Sequence, residues 1–197
     1  MSCLIVLNGE CSSYEHLKKM CSDAEFLICA DGGLKHLEKL GIKPDIVAGD
    51  FDSAQKPENI ETIVYPAEKD LTDFEIVLNI AEEKGFDEIK VTCALGGRYD
   101  HELANIMLLT KYKNAVIEDE NNLIFAVEKN EKIENFIGAT FSIIPTEKSV
   151  ISLKGVKYPL NEREINVGDT LTVSNIVSSD CAEISVLSGK ILVFINK

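Results

Sequence analysis

Basic side chains are the scarce ingredient of this 197-residue chain: 20 Lys and Arg stand against 33 Asp and Glu, a formal net charge of −13. Nucleic acid and anionic membranes require a basic face, and the chain has no Lys/Arg run to make one, so both are excluded as expected partners. No apolar run approaches the roughly 18 residues of a membrane-crossing helix. The opening MSCLIVLNGECSS has no basic segment and only a short apolar stretch, Cys3 to Leu7, so no secretory leader is expected and the protein is expected in the cytoplasm. Six cysteines form no CxxC pair and no Cys/His cluster at zinc spacing. They are expected to be reduced thiols that fill the core. GxxxxGK[ST], GxGxxG and GxSxG are all missing, so a P-loop, a dinucleotide fingerprint and a nucleophile elbow find no support.

What is present is an ordinary globular composition, 45% hydrophobic and 27% charged, enough for one large domain or two small ones. Through the first two thirds, short apolar runs alternate with amphipathic stretches, the pattern of a parallel sheet with crossover helices. CLIVLNG, EFLICADGG, PDIVAGD, ETIVYPA, EIKVTCALGG and NAVIEDE read as strands. Phe74, Val77, Leu78 and Ala81 mark one face of a helix from Thr72 to Lys84, opened by a Thr72/Glu75 capping box. A second helix is expected from Tyr99 to Tyr112 with Leu103, Ile106 and Met107 facing inward, and a third from Leu34 to Leu40, closed by Gly41. From about Glu128 the helical signals stop. ATFSIIPT, VISLKG, TLTVSN, AEISVLS and KILVFIN read as the strands of a small β-sandwich, with a polar boundary at 121–132.

The acids of the first half sit where strands end. Asp31 closes EFLICADGG, Asp50 and Asp52 close PDIVAGDFDS, and Asp70 and Asp73 lie between ETIVYPA and its helix. In an open parallel sheet the carboxyl ends of the strands share one edge, and ligands bind in the crevice there. Carboxylates gathered together repel unless a cation neutralises them. Mg²⁺ suits that role, because it takes hard oxygen ligands from one or two carboxylates plus substrate phosphates. Alternation through GDFDS is expected to aim Asp50 and Asp52 at the same crevice with Phe51 turned away.

Gly32-Gly33 and Gly96-Gly97 each stand between a strand and a helix, where bare backbone lets a phosphate approach. Arg98 adds a planar fork suited to phosphate oxygens. Each residue also has a plainer reading. Asp73 offsets a helix dipole, Asp70, Asp45 and Asp31 are turn residues, His101 is a capping or surface histidine beside Asp100, and Lys69 is a solvated lysine. The residues alone reach a Mg²⁺-dependent phosphate or nucleotide site on an α/β domain, with the acceptor unnamed.

The motifs ADGG, PDIVAGDFDS, KDLTDFE and GGRYDHELAN, in this order, together with SLKGVKYPL and TVSN toward the C-terminus, resemble the thiamine pyrophosphokinase family over nearly the whole chain. That resemblance implies a Rossmann-like open parallel sheet with flanking helices over residues 1–125, binding ATP and metal. A small all-β sandwich over 126–197 would bind thiamine and dimerise. It implies transfer of the pyrophosphoryl group of ATP to the hydroxyethyl oxygen of thiamine, giving thiamine diphosphate and AMP with Mg²⁺. Asp31, Asp50, Asp52 and Asp73 would carry the metal. Asp31, Gly32, Gly33, Lys69, Asp70, Thr72, Arg98 and His101 would line the ATP side, with Asp73, Asp100 and Arg98 in catalysis and Asp73 or Asp100 as the base. Ser174 and Asn175 would stand on the thiamine side of a homodimer whose active sites lie at the subunit interface. Some relatives stack a C-terminal tryptophan on thiamine, and this chain has none. Tyr158 or a phenylalanine could offer the aromatic face instead. The alternatives are a nucleotide-binding or sensing protein without catalysis, and a Mg²⁺-dependent pyrophosphokinase or phosphohydrolase for another acceptor.

Overall fold

The apolar runs of the first half become short strands, buried through Ser2–Val6, Phe26–Ala30 and Ile46–Gly49 and more open at Glu61–Val64. A computed structural model of the chain describes residues 1–51, 59–66, 68 and 70–197; Asp52 and Lys69 lie outside them. Two compact units emerge, Met1–Leu108 with Asn114–Glu120, and Leu109–Lys113 with Asn121–Lys197.

The first unit runs β1 (Ser2–Val6), α1 (Tyr14–Asp23), β2 (Phe26–Ala30), α2 (Leu34–Leu40), β3 (Ile46–Gly49), β4 (Glu61–Val64), α3 (Asp73–Glu83), β5 (Glu88–Thr92), α4 (Tyr99–Leu108) and β6 (Ala115–Glu118). Its strands pair in parallel in the order β6-β5-β1-β2-β3-β4. Parallel strands covered on both faces need apolar residues at every position, and β1 and β2 are buried in four of their five. Leu4, Val6, Leu27, Cys29 and Val47 form one core with Leu17 and Met20 of α1 and Leu37 of α2. Alternation turns Ile5, Ile28 and Ile46 to the other face, and α3 packs on β2 and β3. Strand order reverses at β1: the chain proceeds outward through β2, β3 and β4, then returns to place β5 on the opposite side.

Thr72 caps α3 as expected, its Oγ1 accepting from the Glu75 amide at 3.2 Å. Gly41 closes α2 in the left-handed region, φ 66°. Helix α1 was not anticipated. Ser13 caps it by accepting from the His16 amide at 3.2 Å, but only Leu17 and Met20 are buried, too short a stripe to stand out as a period. Helix α4 departs from expectation. It ends at Leu108, none of its residues is buried, Leu103 is 62% and Met107 41% exposed, and Ile106 is half-buried. Helical spacing tells which residues share a face and says nothing of what covers that face. The buried anchors lie past the helix end, at Leu109 and Tyr112.

The second unit contains β7 (Asn122–Val127), β8 (Asn130–Glu134), β9 (Thr140–Pro145), β10 (Ser149–Lys154), β11 (Leu160–Ile165), β12 (Asn175–Ile176), β13 (Cys181–Ser188) and β14 (Ile191–Asn196). Antiparallel pairing gives β12-β9-β14-β7 and β11-β10-β13-β8. One core takes Phe141, Ile143, Ile191, Val193 and Ile195 from the first set and Ile151, Leu153, Ala182 and Ile184 from the second. The stretch 121–132, expected as a polar boundary, holds β7 and the start of β8, because Ile124 and Val127 supply buried anchors between polar neighbours. TLTV, expected as a strand, is instead a turn. Asp169 and Val173 amides bond back to Asn166 and Thr170 carbonyls at 2.9 and 3.2 Å, Thr172 donates to the Ile143 carbonyl at 2.7 Å, and Ser174 adopts φ 61°. Only Asn175 and Ile176 continue as a strand. The 109–113 segment is tied to this unit by Lys190, whose Nζ donates to the Thr110 carbonyl at 2.6 Å and pairs with Glu128, and by a Lys113–Glu128 ion pair.

Candidate functional site

A cleft of about 630 Å³ opens at the carboxyl ends of the parallel strands. The loops after β1, β2, β3 and β5 and the N-termini of α3 and α4 all reach it, which is where a reversal of strand order leaves a crevice. Of the residues singled out in the sequence, it gathers Gly32, Asp50, Thr72, Asp73, Arg98 and His101, with Gly96 and Gly97.

Asp31 opens a single 3₁₀ turn, Asp31–Gly33, directly after β2. A Cβ built on Gly49 would lie 3.0 Å from Asp31 Cγ, so only glycine there lets the Asp31 carboxylate rest against the end of β3, one residue before Asp50. A Cβ on Gly33 would meet the Val6 carbonyl oxygen at 2.5 Å, and one on Gly32 the Asn8 side chain at 2.5 Å. The diglycine is thus a close backbone approach of the β2 turn to the end of β1. Phe51 adopts φ 52°, a conformation a bulky residue seldom takes, and packs into the α1/α2 core. It does turn away from the crevice, but by a left-handed bend and not by strand alternation, which ends at Gly49.

Asp73 is the first residue of α3, exposed, next to its cap Thr72. Asp70 is exposed and is not among the residues lining the cleft. Gly97, at φ 112°, has nothing within 4 Å of where a Cβ would stand, so its backbone is open to a ligand. Arg98 grips Asp100 with two hydrogen bonds, Nε to Oδ1 at 3.1 Å and Nη2 to Oδ2 at 2.6 Å. That grip holds the Asp100 carboxyl down at about 2. His101 lies in the first turn of α4, exposed to the cleft.

Sequence reasoning passed over Asn8 and Gly9, which line the cleft at the end of β1, and Glu102 and Asn105 on α4. The strand-end rule applied to β1 itself would have found the first pair. Gly9 and Glu10 amides bond to the Cys93 and Leu95 carbonyls, both at 2.7 Å, locking the two loops side by side. Asn105 Nδ2 donates to the Ala94 carbonyl at 2.8 Å.

In the second unit, Ser174 is exposed and its amide donates to Ser142 Oγ at 3.0 Å. Asn175 is 5% exposed and spends its carboxamide on backbone: Oδ1 accepts from the Tyr158 and Ile176 amides at 3.1 and 2.9 Å, and Nδ2 donates to the Tyr158 carbonyl at 2.9 Å. Its consequence is a fixed Tyr158, 57% exposed, with Lys157 Nζ 5.3 Å from the ring centroid.

Residues 17–119 match the family model described as thiamin pyrophosphokinase, catalytic domain, and residues 123–191 the one described as thiamin pyrophosphokinase, vitamin B1 binding domain. Thiamine pyrophosphokinase of Bacillus subtilis is 35% identical over 191 residues, covering 87% of each chain. The crystal structure of thiamine pyrophosphokinase from Bacillus subtilis superposes with a TM-score of 0.89 at 28% identity, over 100% of this chain and 99% of that one. The crystal structure from Geobacillus thermodenitrificans gives 0.87 at 28% identity, over 100% and 98%. With one family model spanning more than half of the chain and a second most of the remainder, the chain belongs to the thiamine pyrophosphokinase family.

Proposed function

We propose that the chain transfers the pyrophosphoryl group of ATP to thiamine, with the reacting phosphates in the 630 Å³ cleft. The observation that carries this reading is the meeting, in one crevice, of Asp50 and Asp73 with bare glycine backbone and the Arg98 guanidinium. Transfer of this kind needs positioning and charge neutralisation more than covalent chemistry. Asp31, Asp50 and Asp73 offer the hard oxygen donors that Mg²⁺ takes, and the close seat of Asp31 on Gly49 fits a shared site at these strand ends. Asp52 is assigned to the same set by its motif. When bound, the ion supplies neutralisation of phosphate charge.

Arg98 faces the cleft as a fork for phosphate oxygens, held in place by Asp100. Both oxygens of Asp100 are bound by Arg98, so Asp100 is assigned as the orienting partner of Arg98 and Asp73 as the group that takes the thiamine hydroxyl proton. Gly32, Gly33, Thr72, His101, Lys69 and Asp70 complete the ATP side, and the parallel sheet is Rossmann-like in this role. Thiamine is assigned to the second unit, with Ser174 exposed at the turn and Tyr158 presenting the aromatic face, which already carries one cation, Lys157. A cytoplasmic homodimer belongs to this reading, and exposed Leu171 and Val173, in the turn that leads to Ser174, support the meeting of this surface with a second subunit.

The test is the purified chain with ATP, Mg²⁺ and thiamine, following AMP and thiamine diphosphate together. Equal yields that vanish when any component is omitted, and that fall at least about 100-fold in Asp50→Asn with an unchanged melting temperature, are expected. AMP without thiamine diphosphate overturns the acceptor, and full activity in Asp50→Asn overturns the site.

A further inference from the structure

Outside the cleft, three soft donors from three separate elements converge. Cys11 in the β1–α1 loop, His36 on α2 and Cys93 just after β5 each place a ligand atom within 4.8 Å of the other two. Spacings of 25 and 57 residues hid this group from any motif search. We propose that Cys11, His36 and Cys93 form a binding site for a thiophilic divalent cation of the Zn²⁺ and Cd²⁺ class.

The donor set suits such an ion, since thiolate and imidazole select soft and borderline metals over Mg²⁺. Ligands at 2.0 to 2.3 Å from one tetrahedral centre lie roughly 3.4 to 3.8 Å apart, so the group must close by about 1 Å. His36 is prepared for the role. Its Nε2 lies 2.9 Å from the Gly9 carbonyl, which can only accept, so Nε2 carries the proton and Nδ1 keeps a lone pair. An N–H donated to a backbone carbonyl is the outer-shell contact that fixes a ligating histidine. Without metal, the Tyr14 hydroxyl occupies Nδ1 at 2.9 Å while accepting from Lys39 Nζ at 3.1 Å. His36 is 5% exposed and Cys93 4%, yet Cys11 is half-buried and, with His36, lines a cavity of about 480 Å³ shared with Tyr14, Lys35 and Lys39. That cavity is the entry path. Two thiolates with one divalent ion leave no net charge in the interior, the condition under which a buried metal is tolerated.

The site would act on the cleft through its ligands' neighbours. Gly9 and Ala94 line the cleft and stand two residues from Cys11 and one from Cys93. A metal here ties the β1–α1 loop, α2 and the β5 turn into one clamp behind the crevice. The inference is independent of the substrate assigned to that crevice.

The experiment titrates the reduced, metal-stripped full chain with Cd²⁺ and reads the sulfur-to-cadmium charge-transfer band, with the melting temperature as a second readout. One ion per chain is expected, with a rise in melting temperature because only the folded state presents the set. Cys11→Ser is expected to weaken binding at least about tenfold, the low end for disturbing even an outer shell. It abolishes the melting shift, and its half-buried position leaves the fold intact. His36→Gln weakens binding similarly. Cys21→Ser and Cys181→Ser keep the full band. An unmodified chain with no charge-transfer band, or Cys11→Ser titrating like the unmodified chain, overturns the site, as does loss of the band in Cys21→Ser alone.

Discussion

Asn175→Ala tests the claim that this residue works as a clamp on Tyr158. The substitution removes one oxygen that accepts two amides and one nitrogen that donates to a carbonyl, three hydrogen bonds in all. At about 0.5 to 1.5 kcal/mol net for each, the gross loss lies between about 1.5 and 4.5 kcal/mol. Tyr158 is exposed enough for water to recover part of that, while Asn175 itself is buried, so about 2 to 3 kcal/mol is expected. For a chain of this size the melting temperature falls by roughly 4 to 12 °C. Asn175→Asp separates hydrogen bonding from packing. It keeps the acceptor but turns a carboxylate oxygen toward the Tyr158 carbonyl, so it is expected to melt no higher than the alanine variant. A melting temperature within about 1 °C of the unmodified chain in Asn175→Ala would refute the clamp.

Three further outcomes follow from the geometry. Tyr158→Ala leaves the melting temperature nearly unchanged, because the ring is exposed, but raises the KM for thiamine by about tenfold with the KM for ATP constant, as steady-state kinetics would read. Arg98→Ala releases the Asp100 carboxyl from about 2 toward its ordinary range, visible in an NMR titration of the side chain. Since the folded value is depressed, the pairing favours the folded state above the ordinary carboxylate range, and that contribution disappears as pH falls through about 2. Gly9→Ala drives a methyl into the Cys93 and Leu95 carbonyls, two backbone atoms that cannot rotate away. A loss of about 2 to 4 kcal/mol is expected in denaturant unfolding.

The parallel sheet was legible because a strand buried on both faces is written as an uninterrupted apolar run, and CLIV and FLICA are such runs. Helix α3 was legible for a different reason, a long stripe and a cap that both lie within one window. What failed did so where local text underdetermines context. TLTV has the composition of a strand, but the Asp169 and Ser174 geometry around it folds the backbone into turns. The Leu103, Ile106 and Met107 face is real as a periodicity, yet Leu103 and Met107 stay exposed. At the site, acids at strand ends were readable one motif at a time. Asn8 and Gly9 fall under the same strand-end rule but carry no acid to draw attention to the end of β1. The Cys11, His36 and Cys93 group is illegible, since it depends on β5 lying next to β1, a pairing between segments some 85 residues apart.

The interleaving of the two units has a consequence for dissecting the gene. The backbone changes unit after Leu108, returns after Lys113 and leaves again after Glu120. No single cut therefore yields both halves whole. A fragment ending at Glu120 carries Leu109 and Tyr112 away from the unit to which they belong and exposes two side chains that are otherwise buried. A fragment beginning at Asn121 leaves Lys190 without the Thr110 carbonyl and Glu128 without Lys113. In modular terms the halves were not joined end to end like beads. The second unit's residues 109–113 lie inside the sequence of the first.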